Sequence, residues 1–139
     1  MTANTPPLHW STLPNAPAPG AALQCNRDAL PDGHATLWEL DTGGGPGQPF
    51  KLLLLRNGED VTAFVNRCAH FGVPLAARQS QLIFSPRTSI TCNVHYTRYR
   101  WADGVCDAGE CVGESLIPVP LQMSESGALS IAAPGGYYR

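Results

Sequence analysis

The sequence predicts an all-β fold, a sandwich or small barrel, on three observations. Strand-length segments, apolar or alternating, recur from residue 22 onward. Glycine and proline, 14 and 13 of 139 residues, separate them at short intervals. No amphipathic stretch reaches three helical turns, so the core has to be built from sheets. The length suits one domain with a workable core and is too short for two sizeable ones.

Taken in order, residues 1–21 hold Pro6, Pro7, Pro14, Pro17 and Pro19 with almost no charge. Such a segment cannot keep a helix and has little to bury, so an extended or disordered leader is expected, a plain tail rather than a docking peptide. Residues 35–40 alternate around Trp38, and residues 41–49, with four glycines, read as a flexible loop. Residues 50–56 centre on Leu52-Leu53-Leu54-Leu55, an apolar run of the length of a buried strand. Asn57-Gly58 followed by Glu59-Asp60 signals a hairpin, after which residues 61–66 run directly into Cys68. Residues 75–79 have room for one helical turn. Residues 117–121 and 128–131 are candidate strands around a Ser-Glu-Ser-Gly turn at 124–127, and residues 134–139 form a tail.

Charge narrows the function classes. A net charge of −2 gives no reason to expect nucleic acid or an anionic membrane as a partner. No apolar run approaches a membrane span. Arg27 is the first basic residue and no apolar stretch follows it, so no secretory signal is expected and the predicted location is cytoplasmic. Residues 67–111 stand apart: Arg67, Arg78, Arg87, Arg98 and Arg100 against Asp103, Asp107 and Glu110 give +2, while the remainder carries −4.

The same segment carries the chemistry. Cys68-Ala69-His70 and Cys92-Asn93-Val94-His95 each offer one thiolate and one imidazole. Two Cys and two His are the ligand count of a [2Fe–2S] centre in which sulfur holds one iron and nitrogen the other. Zinc sites more often pair like ligands at Cys-x2–4-Cys and His-x3–5-His spacing. The predicted cofactor is therefore one such cluster per chain, on Cys68, His70, Cys92 and His95, with zinc or plain surface histidines as the alternative.

On these residues the chain resembles the Rieske family over roughly residues 22–131. The resemblance implies an ISP-domain-like β-sandwich base, about 22–66 and 112–133, with a cluster-binding subdomain inserted at about 67–111. It also implies that Cys68 and Cys92 bind the inner iron, while His70 and His95 bind the outer one and face the partner. Gly72, Pro74 and Leu75 resemble the family's His-x-Gly-x-x-Leu loop. Tyr96 stands where the family often has glycine after the second histidine, a departure at the tip. Thr97 and Tyr99 match positions whose hydroxyls donate to cluster sulfurs in high-potential members, and both are expected to tune the potential upward. Val73 and Val94 occupy the positions of the paired loop cysteines of the respiratory type, so that bridge cannot form.

For Cys106 and Cys111, in a stretch resembling the glycine-rich turn that closes the second cluster loop, three readings are open: a bridge, a second metal, or thiols. Thiols are the expectation, since two ligands do not complete a metal site and an odd number of cysteines in a reducing compartment speaks against a disulfide scaffold. Cys25 reads as a small buried apolar residue, and His9 and His34 as solvated loop residues.

Donor chemistry explains the family's use. Four thiolates leave an oxidised cluster a dianion, whereas two thiolates with two neutral imidazoles leave it neutral, and a neutral site accepts an electron more readily. Histidine ligation accordingly raises potentials to about −150 to +300 mV, against about −400 mV for all-cysteine plant-type clusters. After the cluster takes two histidines, only His9 and His34 remain for a mononuclear iron, and no Gly-x-Gly-x-x-Gly marks a nucleotide cofactor. The expected function is a ferredoxin-like carrier of single electrons to an oxygenase or another redox enzyme, not an enzyme itself. A small Rieske subunit of a reductase, similar to that of nitrite reductase, is the second reading, and a zinc-binding interaction module the third. The partners expected are redox proteins, docked through an acidic surface against the arginines of residues 67–111.

Overall fold

The computed structural model describes residues 9–43, 48–69, 72–93 and 96–132. Part of the loop expected at 41–49, the tail at 134–139, and His70, Val94 and His95 lie outside these residues. The described strands are β1 (Ala22–Asn26), β2 (Ala35–Leu40), β3 (Phe50–Asn57), β4 (Asp60–Val65), β5 (Ile83–Ser85), β6 (Ser89–Thr91), β7 (Arg98–Arg100), β8 (Cys106–Ala108), β9 (Pro118–Val119), β10 (Leu121–Met123) and β11 (Ala128–Ile131). Three short 3-10 turns accompany them, and no α-helix occurs among the described residues. No helix there is long and apolar enough to cross a membrane.

The strands form three antiparallel sheets, ordered β1-β11-β10, β2-β3-β4-β9 and β5-β6-β7-β8. The middle sheet organises the molecule. Along β3, Phe50, Leu52 and Leu54 join a core with Leu23, Ile117, Leu129 and Ile131, against the first sheet. Leu53 and Leu55 point the other way, into a core with Leu75, Ile90, Tyr99 and Trp101 under the third sheet. Because successive side chains leave a strand on opposite faces, a run of four leucines is what a strand covered on both sides requires. All four are essentially inaccessible to water. The β3–β4 hairpin closes at Asn57↔Asp60, with Gly58 and Glu59 as its loop.

Four expectations need correction. The leader is not a loose arm from residue 9 onward: Trp10 is 2 % exposed and packs into the base core. The Thr42 hydroxyl donates to the Asn15 carbonyl at 2.6 Å, and the Gly20 N–H donates to the Ile131 carbonyl. An indole gives this proline-rich segment enough apolar area to hold it on the base. The strand expected at 117–121 is split between β9 and β10 by Pro120, which has no N–H for a ladder. The turn expected at 75–79 falls instead at Gln79–Gln81. His34 is not solvated but half-buried: its ring meets Phe84 edge-on at 4.7 Å, and its Nδ1 is buried with no hydrogen-bond partner.

Candidate metal centre

Cys68 follows β4 by three residues, on a loop that folds back on itself. Its N–H donates to the Val73 carbonyl at 2.6 Å, and the Gly72 N–H donates to the Cys68 carbonyl at 3.0 Å. The buried Asn66 pins the return of this loop, accepting from the Leu75 N–H at 2.8 Å and donating to the Ala76 carbonyl at 3.0 Å. Cys92 follows β6, and the Cys92 N–H donates to the Thr97 carbonyl while the Tyr96 N–H donates to the Cys92 carbonyl. One bond joins the loops directly, from the Asn93 N–H to the Leu75 carbonyl at 2.8 Å. The two stretches that carry the predicted ligands are thereby brought together, and both cysteines are completely buried.

Tyr99 sits at the centre of β7, with Ile90 on one side and Cys106 on the other. Its hydroxyl lies 3.1 Å from Cys68 Sγ. The Ala69 N–H donates to the Tyr99 oxygen at 3.0 Å, and the Thr97 hydroxyl donates to it at 3.1 Å. With that oxygen accepting twice, its own proton has the Cys68 sulfur as acceptor within reach. Burial in a dry core, reinforced by the contact with Cys68, pushes the Tyr99 hydroxyl up to about 12, so it stays protonated. Thr97 Oγ1 is farther from the sulfur, at 3.6 Å, and closer to the Tyr99 hydroxyl, at 3.1 Å.

The structure overturns the expectation of thiols at Cys106 and Cys111, which form a disulfide with a Cα separation of 5.8 Å. The turn after β8 folds Cys111 back beside Cys106, and the Glu114 N–H donates to the Cys111 carbonyl. Its backbone packs on the second ligand loop: a Cβ on Gly109 would lie 2.9 Å from Thr97 Cγ2 and 3.1 Å from Thr97 Cα. Only glycine fits there, and its φ of 101° is one that other residues avoid. Sequence spacing alone did not disclose this staple.

At the tip, Tyr96 adopts a left-handed φ of 60° and is 68 % exposed. The backbone keeps the conformation that a glycine would take without strain, and tyrosine occupies it at a cost of about 1 kcal/mol. Among the five arginines of residues 67–111, three are neutralised: Arg87 by Asp32, Arg98 by Asp107 and Arg100 by Asp103. Asp103 and Asp107 are already inside the segment's +2, so Asp32, from outside it, is the carboxylate that lowers the local positive charge further.

The described residues alone assemble no group of three metal-ligating side chains, since His70 and His95 lie outside them. What they do provide suits an iron–sulfur group: two buried soft sulfurs, one with a protonated hydroxyl directed at it.

A β-sandwich with two linked loops presenting buried cysteines defines the class of small iron–sulfur domains. The Rieske [2Fe-2S] domain family matches residues 23–122, and the chain belongs to that family. Membership brings a Rieske-type cluster as cofactor and sets the zinc module aside. No curated protein matches the sequence. Among solved structures, the fold is similar to the ferredoxin of carbazole 1,9a-dioxygenase from Nocardioides aromaticivorans IC177, with a TM-score of 0.61 and 20% identity over 84% of this chain and 99% of that one. It is also similar to a chain in the reduced complex between oxygenase and ferredoxin in carbazole 1,9a-dioxygenase, with a TM-score of 0.61 and 25% identity. A third likeness is to the terminal oxygenase of carbazole 1,9a-dioxygenase from Novosphingobium sp. KA1, with a TM-score of 0.57 and 19% identity. The chain covers 99% of the first protein but 29% and 32% of the other two matched chains.

Proposed function

We propose that this protein is a ferredoxin-type carrier of single electrons to an oxygenase, acting in the cytoplasm and performing no substrate chemistry of its own. Cys68 and Cys92 hold one iron of the cluster, and His70 and His95 hold the other. Residues 67–111 are the subdomain that binds it, on a base formed by about 22–66 and 112–133. When bound, a [2Fe–2S] cluster takes up and gives back one electron.

The carrying observation is the Tyr99 hydroxyl 3.1 Å from Cys68 Sγ in a core closed to water. A donor aimed at sulfur draws electron density from it and favours the reduced form. Thr97 holds that hydroxyl in place through its own donated hydrogen bond. The link from Asn93 to Leu75 ties the two loops to each other. Likeness to a ferredoxin along almost its whole length supports the carrier reading over a catalytic one.

Reductive titration of the anaerobically reconstituted chain tests this reading. Uptake of one electron per chain, with a rhombic EPR signal appearing only on reduction, is expected. Absence of that signal, or turnover of an organic substrate by the isolated chain, would overturn it.

A further inference from the structure

The cations of the described residues divide by partner. Arg27 and Arg56 face Asp28, Arg87 faces Asp32, Arg98 faces Asp107 and Arg100 faces Asp103. Lys51, Arg67 and Arg78 remain without an ion pair among the described residues, and they lie together. Two surface clefts of about 180 and about 240 Å³ share Lys51 and Asn66 in their walls. Arg67, Gly72 and Pro74 complete part of the first cleft, and Arg78 part of the second. Glu39, in register with Lys51 across β2 and β3, is the one carboxylate in either wall.

This patch adjoins the candidate centre. Arg67 immediately precedes Cys68, and a Cβ on Gly72 would lie 3.3 Å from its Nη2, so the guanidinium lies against the first ligand loop. The chain as a whole carries −2, so a patch of three cations against the single carboxylate of Glu39 gives it a directed field at this place. Lys51 and Arg78 are exposed and Arg67 is half-buried. A tight site for a small anion uses buried, converging donors, whereas hydrated cations at a cleft rim steer and orient a large charged surface.

We propose that Lys51, Arg67 and Arg78 form a docking face for an acidic surface of the redox partner, beside the loop that bears Cys68 and His70. This rests on the carrier reading above. It places recognition on one flank of the tip, partly on β3 of the base, and not on the arginine-rich segment as a whole.

The test uses the reconstituted full chain, with labelled polyglutamate as the acidic probe and hexacyanoferrate(III) as an anionic oxidant. Substituting K51Q, R67Q and R78Q together is expected to weaken polyglutamate binding at low ionic strength by about tenfold or more. The same triple should slow oxidation of the reduced protein by hexacyanoferrate(III) while leaving the visible spectrum unchanged. A control with the same change of net charge, R87Q, R98Q and R100Q together, should weaken polyglutamate binding by less than about threefold. Equal losses in the two triples would mean that net charge alone governs binding, and would overturn the proposal. So would inorganic phosphate displacing polyglutamate at constant ionic strength through the same three residues, which would make the cleft a small-anion site. Arg78→Gln alone, at an exposed position, should give a partial loss if the triple fails to fold; no loss would count against the patch. Binding of polyglutamate is read without the redox centre, so a chain that carries no cluster would defeat the carrier reading and still decide this one.

Discussion

The two faces of β3 support cores of different kinds. On the base side, Leu52 and Leu54 meet hydrocarbon from both sheets and the indole of Trp10, with Cys25 as the buried sulfur. Burial pushes the Cys25 thiol up and leaves it an inert apolar group. On the site side, Leu53 and Leu55 support Cys68, Cys92, Tyr99 and the Cys106–Cys111 bridge. Asn66 and Thr97 are buried close by, both with hydrogen-bond partners. A hydrocarbon face needs volume filled, whereas a face that holds sulfur ligands also needs directions fixed. Substitutions of equal size on the two faces should therefore differ in consequence.

Leu53→Ala against Leu54→Ala breaks that comparison most directly. Each is expected to destabilise the fold by about 2–5 kcal/mol, since both side chains are fully buried. In chemical unfolding the two losses should be similar, but only Leu53→Ala should shift the visible spectrum and potential of the remaining folded protein. Equal spectral change in both variants would show that the two cores are not independent.

The disulfide gives the next effect. Replacing Cys106 and Cys111 by serine should lower stability by about 2 kcal/mol, the chain-entropy value for so short a loop. Iron and sulfide content should stay unchanged, because the bridge supports the second loop from outside. Loss of cluster from that variant would make the bridge part of the centre itself.

Tyr99→Phe sharpens the comparison by removing the hydroxyl, with its contact to Cys68 Sγ and the bonds it accepts from Ala69 and Thr97, and leaving the ring. A hydrogen bond worth about 1 kcal/mol corresponds to about 40 mV for one electron, and the potential should fall by that order. Voltammetry that finds no shift while the spectrum stays intact would leave Tyr99 as packing alone.

The smallest effect belongs to the rim. The hydrogen bond from Arg100, with that from the Val105 N–H, holds the Asp103 carboxyl below the usual carboxylate range. A lowered folded pKa adds stability that is present above about pH 4 and lost as pH falls through the folded value. Asp103→Asn should flatten the acid limb of the unfolding free energy against pH by less than about 1 kcal/mol in chemical unfolding, and a larger change would be unexpected for an exposed pair.

Much of the base was legible in the sequence, because its strands are long enough to show their pattern. Four consecutive leucines can only be a strand buried on both faces in a chain without helices. β5 to β8 were not legible: each has three residues, too few for alternation to appear, and β7 is flanked by Arg98 and Arg100. Trp10 was the overlooked signal in the leader, an indole among prolines that the composition averaged away. The ligand loops were visible from spacing, since metal chemistry constrains residue type and interval together. The pairing of Cys106 with Cys111 was hidden, because it depends on the path of the turn through Gly109. The departure at Tyr96 was visible, but that it keeps a glycine-like backbone is a property of coordinates.

The central claim is that two loops hold one cluster through a pair of sulfurs and a pair of nitrogens. Pulsed EPR of the reduced, reconstituted protein, with parallel iron, sulfide and zinc analysis, tests it most directly. The account predicts two strongly coupled imidazole nitrogens, with equal amounts of iron and acid-labile sulfide. Zinc in place of iron, or a reduced cluster without nitrogen coupling, would contradict it.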